Sequence, residues 1–316
     1  MKRNLKIVFM GTPDFAVSSL RAIVEKGYNV VGVITAPDRP AGRGRKIQQS
    51  AVKTYAVSQG IKIQQPTNLK NENFIEELRS LHANVQVVVA FRMLPKVVWQ
   101  MPKYGTFNLH ASLLPNYRGA APINWAIING EKKTGVTTFF IDEKIDTGEI
   151  ILKKKVKIKK KENAGNLHDR LRIVGSELVI DTLELIEKGN VRTKVQLSNK
   201  KLKEAPKLNK ENCRIDWSAS RRDIYNKVRG LNPHPGAWSV LINGEDELKV
   251  KIYACRKMKE DHDHLLGTVV NENNRLKVAV RKGYILIEEI QLPGKRKMDT
   301  KSLLNGFELS REVKML

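Results

Sequence analysis

Mostly apolar runs of strand length alternate with amphipathic segments over the first half of the chain. Residues 5–10 form such a run, and apolar positions in residues 14–26 recur at helical spacing. The pattern predicts strands at residues 5–10, 29–35, 61–64, 84–90, 105–110, 134–141 and 149–158. It predicts helices at residues 14–26, 50–59, 71–82, 120–128 and 163–188. Such alternation is typical of a Rossmann-like α/β domain, in which helices cover both faces of a mainly parallel sheet.

The pattern changes after residue 189. Residues 190–209 are polar and rich in lysine, without apolar periodicity, which predicts an interdomain linker. A helix is then predicted at residues 218–229, followed by short alternating strands at 238–242, 248–254, 267–271, 276–280 and 284–290. Turn dipeptides such as Asn243-Gly244 separate these strands, as in a small β-barrel of the oligonucleotide-binding (OB) type. We therefore predict an α/β domain at residues 1–189, a linker at 190–209 and an OB-like domain at 210–316.

The chain is strongly basic. Its 316 residues include 57 Lys and Arg against 33 Asp and Glu, which gives a net charge of +24, and both halves share the excess. This distribution favours a polyanionic partner, and a nucleic acid that lies across both domains would suit it. A proteome that is basic throughout would produce the same count, so charge alone leaves that alternative open.

The sequence contains no pattern of a metal site, a redox site or a membrane span. Cys213 and Cys255 lack metal-ligand or redox spacing, which predicts no bound metal and a reducing, cytoplasmic compartment. No apolar stretch approaches the length that crosses a bilayer, so we expect no membrane partner. Only Gly11 marks the turn after the first strand, which disfavours a nicotinamide dinucleotide even on a Rossmann-like fold.

Three polar residues have the chemistry of an acyl-transfer site. Asn108 and His110 are two residues apart on a predicted strand, so their side chains project from one face. Asp146 in a later loop would orient and charge the imidazole, while the Asn108 amide and the imidazolium stabilise an oxyanion. No Ser or Cys here has an activating neighbour, which favours direct attack by an external amine. The alternative is a structural histidine that meets polar neighbours by chance.

The same residues carry a family resemblance. The block from Asn108 to Trp125 resembles the signature of the formyltransferases that use 10-formyltetrahydrofolate, and residues 145–148 resemble their second signature. The resemblance implies that Asn108, His110 and Asp146 are catalytic and that 10-formyltetrahydrofolate is the formyl donor. It also implies that a turn contacts the folate, formed by Ser112, Leu113, Leu114 and Pro115.

A loop rich in glycine and arginine follows the second predicted strand. Residues 36–49 could be an ordinary solvated loop, or a basic finger whose arginines reach phosphates and groove edges. The segment resembles the loop with which some members of the family engage the acceptor stem of initiator tRNA, and Arg43 matches their recognition residue. The predicted tRNA-binding residues are Arg39, Arg43, Arg45 and Lys46.

The C-terminal half is also similar to those tRNA-dependent members, at residues 214–217 and 231–238. One segment departs from the family pattern: residues 91–95 are shorter than usual, and Arg92 stands near the place of a glycine. We expect a monomeric enzyme that transfers a formyl group to the α-amino group of methionyl initiator tRNA in translation initiation. The alternatives are a formyltransferase for a small amine, such as glycinamide ribonucleotide or an amino sugar, and a non-catalytic RNA-binding protein.

Overall fold

The computed structural model describes residues 2–41, 46–196 and 202–316, with backbone only for Ala41 and Lys46. The chain forms two compact units. The first comprises Met1–Gly119, Thr134–Lys157 and His168–Glu204, and the second comprises Ala120–Lys133, Ile158–Leu167 and Ala205–Leu316. In the described part of the chain, we find no helix with the length and apolar character that crossing a bilayer requires.

The strands and helices alternate through the first unit much as the sequence predicts. Its strands are β1 (Lys6–Gly11), β2 (Asn29–Ile34), β3 (Arg39–Ala41), β4 (Lys46–Gln48), β5 (Ile63–Gln64), β6 (Val85–Val89), β7 (Thr106–His110), β8 (Lys133–Phe140) and β9 (Ile150–Lys157). Its helices are α1 (Asp14–Glu25), α2 (Ala51–Ser58), α3 (Glu72–Ser80), α4 (Lys96–Trp99) and most of α6 (Ala164–Lys188). α5 (Pro122–Ile128) belongs to the second unit.

The seven-stranded sheet of the first unit has the order β5-β2-β1-β6-β7-β8-β9. β1 runs parallel to both β2 and β6, β7 runs parallel to β6, and β8 is antiparallel to β7. The prediction of a Rossmann-like, mainly parallel sheet is confirmed. The strand order reverses between β1 and β6, and open α/β sheets bind ligands beyond the carboxyl ends of strands near such a point. β7, which contains Asn108 and His110, ends at this edge, one strand further on.

Burial explains why these segments form central strands. Ile7, Val8, Phe9 and Met10 of β1 are completely buried, and all five residues of β6 are buried. Strands covered on both faces are near-continuous apolar runs, and β6 matches this pattern with Gln86 as its one polar residue. Gly11 ends β1 where space is short, because a Cβ at that position would lie 2.7 Å from the Ala16 Cβ.

The second unit contains the antiparallel barrel that the sequence predicts. Its elements are α7 (Arg221–Leu231), β10 (Ala237–Asn243), β11 (Asp246–Met258), β12 (Val269–Glu272), β13 (Arg275–Val280), β14 (Gly283–Gln291), β15 (Met298–Asp299), α8 (Thr300–Leu304) and β16 (Val313–Met315). The strand order is β12-β13-β14-β11-β10-β16, with β15 beside β14. Backbone contacts of Thr268 with Lys314 and of Gly267 with Met315 nearly close the sheet. The predicted barrel is confirmed as a nearly closed antiparallel sheet.

The predicted linker makes ordered contacts where the structure describes it. Lys194 and Ile150 exchange two backbone hydrogen bonds of 2.8 Å, and Tyr117 donates its N–H to the Lys203 carbonyl at 2.5 Å. The segment is therefore held through its backbone, which needs no apolar periodicity. The domain boundaries drawn from the sequence stay a prediction.

The predicted loop at residues 36–49 is more regular than expected at its two ends. β3 and β4 pair antiparallel there, with Arg39 opposite Gln48. The glycine and proline residues of this stretch predicted an irregular loop. Three residues in each strand are nevertheless enough for β3 and β4 to pair. Residues 42–45 lie outside the described residues.

Candidate active site

Asn108 and His110 lie at the carboxyl end of β7, in the first unit. Asn108 is opposite Val88 of β6 and Phe139 of β8, and His110 is opposite Thr137. Their spacing of two residues places both side chains on one face of the sheet. Asn108 is partly exposed, and within the described residues its side-chain amide has no hydrogen-bond partner. That amide is therefore available to a ligand.

The imidazole of His110 is held between a carbonyl and a carboxylate. Its Nε2 lies 2.7 Å from the Tyr117 carbonyl oxygen, which only accepts, so Nε2 carries a proton. Its Nδ1 lies 3.7 Å from Asp146 Oδ2. That distance suits an ion pair and is too long for a hydrogen bond. Nδ1 is therefore the ring nitrogen that faces the carboxylate.

Asp146 occupies a strained turn with its carboxylate directed inwards. Its φ is 56°, in the left-handed region, and its side chain is 15% exposed. Oδ2 accepts the Gly119 N–H at 2.9 Å, whereas Oδ1 has no hydrogen-bond partner among the residues described. A Cβ at Gly148 would lie 1.7 Å from the Phe140 carbonyl oxygen, so only glycine fits there. Asp142 adds support by accepting hydrogen bonds from Thr147 Oγ1 at 2.7 Å and Lys144 N–H at 3.0 Å.

The turn after His110 is tied internally. Thr137 Oγ1 donates to the Ser112 carbonyl at 2.7 Å and accepts the Leu114 N–H at 3.3 Å. Ser112 and Leu114 are almost fully buried, while Leu113 and Pro115 are partly exposed. Of the four residues predicted to contact folate, Ser112 and Leu114 thus face the interior. A ligand at this turn would meet Leu113, Pro115 and the backbone.

The segment at residues 90–95 follows β6 at the same edge of the sheet. Ala90 has a φ of 47°, and Arg92 donates through Nη1 to the Thr67 carbonyl at 2.7 Å and through Nη2 to the Pro66 carbonyl. Partial burial, with a smaller contribution from the positive charge of Arg39, lowers the pKa of Arg92. Arg92 therefore supports the neighbouring residues 66–67 from the position where the family pattern has a glycine.

The basic loop is fixed at its start by Asp38. Its carboxylate accepts from Lys53 Nζ at 2.5 Å and from Gln65 Nε2 at 2.8 Å, and these hydrogen bonds lower the pKa of Asp38. Arg39 is exposed, and its contact with RNA stays a prediction. Arg43, Arg45 and the side chain of Lys46 lie outside the described residues, so their roles stay a prediction.

Several contacts around the site come from residues that the sequence did not single out. Tyr117 contributes a carbonyl and Gly119 an N–H, and both lie within the block from Asn108 to Trp125 that carries the family resemblance. Gln196 reaches the turn of Asp146 from the predicted linker, and no sequence signal marked it. Within the described ranges, no three His, Cys, Asp or Glu side chains converge as a metal site would require.

Comparison with known proteins gives matches over almost the whole chain. A family model described as formyl transferase matches residues 5–183, and one described as formyl transferase, C-terminal domain, matches residues 207–308. The methionyl-tRNA formyltransferase of Flavobacterium johnsoniae is 58% identical over 312 residues, 99% of each chain. That of Bacteroides thetaiotaomicron is 52% identical over 319 residues, again 99% of each chain.

A solved structure shows the same fold at lower identity. It is the N-formyltransferase from Helicobacter canadensis in complex with folinic acid and dTDP-3-aminofucose. It matches with a TM-score of 0.66 and 22% identity, over 93% of this chain and 100% of that chain. At this identity, the likeness concerns the fold alone.

Proposed function

Because the chain belongs to the formyl transferase family, we propose that it transfers a formyl group from 10-formyltetrahydrofolate to the α-amino group of methionyl initiator tRNA. Relatives that are more than half identical over nearly the full length have this activity in their names. The observation that carries the chemistry is the cluster at the end of β7. There Asn108 presents an amide that has no hydrogen-bond partner among the described residues, and His110 faces Asp146.

Asn108 and His110 stabilise the charge that develops during transfer. When the methionyl amine attacks the formyl carbon, the formyl oxygen becomes an oxyanion. Asn108 donates an amide N–H to this oxygen. His110 contributes through the charge of its ring, because both of its nitrogens already face protein acceptors. Neither interaction has a full counterpart in the ground state, so both lower the barrier.

Asp146, which faces His110, receives the proton that the amine loses. The amine loses one proton as its new bond to carbon forms, and the nitrogen of the donor gains one as its bond to the formyl carbon breaks. Asp146 Oδ2 is engaged by Gly119 and faces His110, whereas Oδ1 has no partner in the described part of the chain. Oδ1 is therefore the oxygen that receives the proton, directly or through a water.

The folate is assigned to the carboxyl edge of the sheet. Backbone N–H groups of residues 91–94 have no hydrogen-bond partner within the described ranges, so they can pair with the polar edge of a pterin. Leu113 and Pro115 are the partly exposed apolar groups of the adjacent turn. 10-Formyltetrahydrofolate supplies the formyl carbon when it binds there.

Binding of tRNA is assigned to the basic loop and the C-terminal domain. Arg39, Arg43, Arg45 and Lys46 would contact the RNA from the loop, and residues 210–316 would form the tRNA-binding domain after the catalytic domain 1–189 and the linker 190–209. The net charge of +24 supports a phosphate-rich partner. We propose that the enzyme works as a monomer in the cytoplasm.

A competition between amine substrates tests the proposed function. Purified protein and 10-formyltetrahydrofolate are incubated with methionyl initiator tRNA, glycinamide ribonucleotide or a dTDP-amino sugar, and product masses are recorded. We expect a formyl mass increase on the methionyl group only. Formylation of a small amine in preference to the tRNA would show that the substrate assignment is wrong.

A further inference from the structure

Gln196 joins the two segments that hold the proposed catalytic pair. Its Nε2 donates to the carbonyl oxygens of Asp146 at 3.0 Å and Gly148 at 2.7 Å. Its Oε1 accepts from Arg118 Nη2 at 2.8 Å and Nε at 3.3 Å. One carboxamide therefore uses both donors and its acceptor on residues beside the site. We refer to this set of contacts as the Gln196 bridge.

The residues next to Arg118 are those that hold His110 and Asp146. Tyr117 accepts the hydrogen bond from His110 Nε2, and Gly119 donates to Asp146 Oδ2. On the other side of the bridge, the carbonyls of Asp146 and Gly148 belong to the turn that presents the carboxylate. The bridge thus connects the backbone that supports the imidazole with the backbone that supports the carboxylate.

The turn at Asp146 needs such support. A residue other than glycine in the left-handed region persists only where its surroundings enforce it. Asp142 supports the residues on either side of Asp146 by accepting from Thr147 Oγ1 and the Lys144 N–H, but a carboxylate cannot donate a hydrogen bond to the Asp146 carbonyl. Gln196 does so, and the paired backbones of Lys194 and Ile150 fix the direction from which it approaches.

We infer that Gln196 is a positioning residue that sets the distance and orientation of Asp146 relative to His110 by bonding the Asp146–Gly148 backbone to Arg118. This inference rests on the proposed function for its kinetic readout. Gln196 touches neither substrate nor the reacting atoms in this assignment, so its loss should alter the rate of transfer and leave substrate binding unchanged.

Two substitutions separate the donor and acceptor halves of the bridge. Gln196→Met keeps the approximate length and removes every hydrogen bond. Gln196→Glu keeps an acceptor for Arg118 and removes both donations to the turn. Because the donations position Asp146, we expect both variants to lower kcat by about 10- to 100-fold, as misplacement of a catalytic group by about 1 Å does. KM for folate and tRNA should stay unchanged in both.

Gln100→Met is the matched control, since Gln100 is exposed and its side chain has no hydrogen-bond partner among the residues described. It should keep the wild-type rate. Melting temperature, measured for every variant, identifies any global loss of folding. Wild-type kcat in Gln196→Met would overturn the inference, and so would wild-type kcat in Gln196→Glu, because the Arg118 contact alone would then suffice.

Hydrogen exchange provides a readout that needs no substrate. The Gly119 amide is bonded to Asp146 Oδ2, so displacement of the turn should speed its exchange in Gln196→Met and Gln196→Glu, with exchange in the barrel strands unaltered. Unchanged Gly119 exchange would overturn the inference even if the wild-type protein proved inactive on methionyl tRNA. Such inactivity would instead count against the proposed function.

Discussion

His110 Nε2 donates to the Tyr117 carbonyl at 2.7 Å, which fixes the imidazole before any substrate arrives. Nδ1 then faces Asp146 Oδ2 across 3.7 Å. The gap is too long for a hydrogen bond, so the carboxylate acts on the ring through its charge. The orientation of the ring therefore depends on backbone atoms, which many side-chain substitutions nearby would leave in place.

Removal of the Asn108 amide should slow formyl transfer without weakening substrate binding. In Asn108→Ala, the oxyanion loses one donor, and such losses typically lower kcat by about 10²- to 10³-fold. Steady-state kinetics together with a tRNA-binding titration provide the measurement. A wild-type kcat in this variant would exclude Asn108 from oxyanion stabilisation.

Gly148→Ala should destabilise the protein and slow the reaction. The new Cβ would meet the Phe140 carbonyl oxygen at 1.7 Å, so the turn must shift. Overpacking of this kind costs about 1–3 kcal/mol, and the shift would carry Asp146 away from His110. Urea unfolding and kcat are the two measurements.

The control for that change is Gly306→Ala, where a Cβ has no neighbour within 4 Å. Its stability and kcat should match those of the wild type. If Gly148→Ala behaved like this control, the tight fit of the turn would have no energetic consequence.

The basic loop should matter for tRNA and not for folate. Arg43→Ala removes one expected phosphate or base contact, so kcat/KM for tRNA should fall, while folate affinity stays at the wild-type value. The salt dependence of tRNA binding should weaken as well, since one cation fewer displaces counterions. Arg79→Ala, an exposed arginine of α3, is the control. If Arg43→Ala and Arg79→Ala had the same kcat/KM for tRNA and the same salt dependence, the loop would have no special role in tRNA binding.

Asp38 should give the folded protein an acid-sensitive contribution. Hydrogen bonds from Lys53 and Gln65 hold its pKa below the usual value of 3.8. A depressed folded-state pKa stabilises the protein above the unfolded value of about 3.9, and this contribution disappears as pH falls through the folded value. The melting temperature of Asp38→Asn should therefore lie below that of the wild type at neutral pH, and the two should converge under acid conditions. A constant difference across this pH range would contradict the ionic role of Asp38.

The periodicity of the sequence was sufficient to predict the strands of the sheet and to place Asn108 and His110 on one face of it. Buried strands such as β1 and β6 are mostly apolar, with Lys6 and Gln86 as their polar residues. The placement of Asn108 and His110 on one face follows from strand geometry alone. The relation of His110 to Asp146 was expected from chemistry and is present as an ion-pair distance.

Contacts made by backbone atoms and by isolated polar side chains had no such signal. Every residue type supplies a backbone carbonyl, so the residue type of Tyr117 could not predict its contact with His110. Gln196 lies in a polar segment without periodicity. Ser112 and Leu114 belong to the motif, yet their burial shows that a motif residue can support a turn from inside. Tertiary contacts of this kind join residues that are brought together only by the folded chain, so a local sequence pattern does not predict them.

The most direct measurement is the single-turnover rate of formyl transfer in Asp146→Asn with methionyl initiator tRNA and 10-formyltetrahydrofolate at saturation. The substitution keeps the shape and the acceptor for Gly119 but removes the charge that faces His110 and receives the proton. We expect the rate to fall by about 10²- to 10⁴-fold, the usual contribution of a positioned acid–base group, with both substrates still bound. A wild-type single-turnover rate in Asp146→Asn would contradict the assignment of this cluster as the catalytic site.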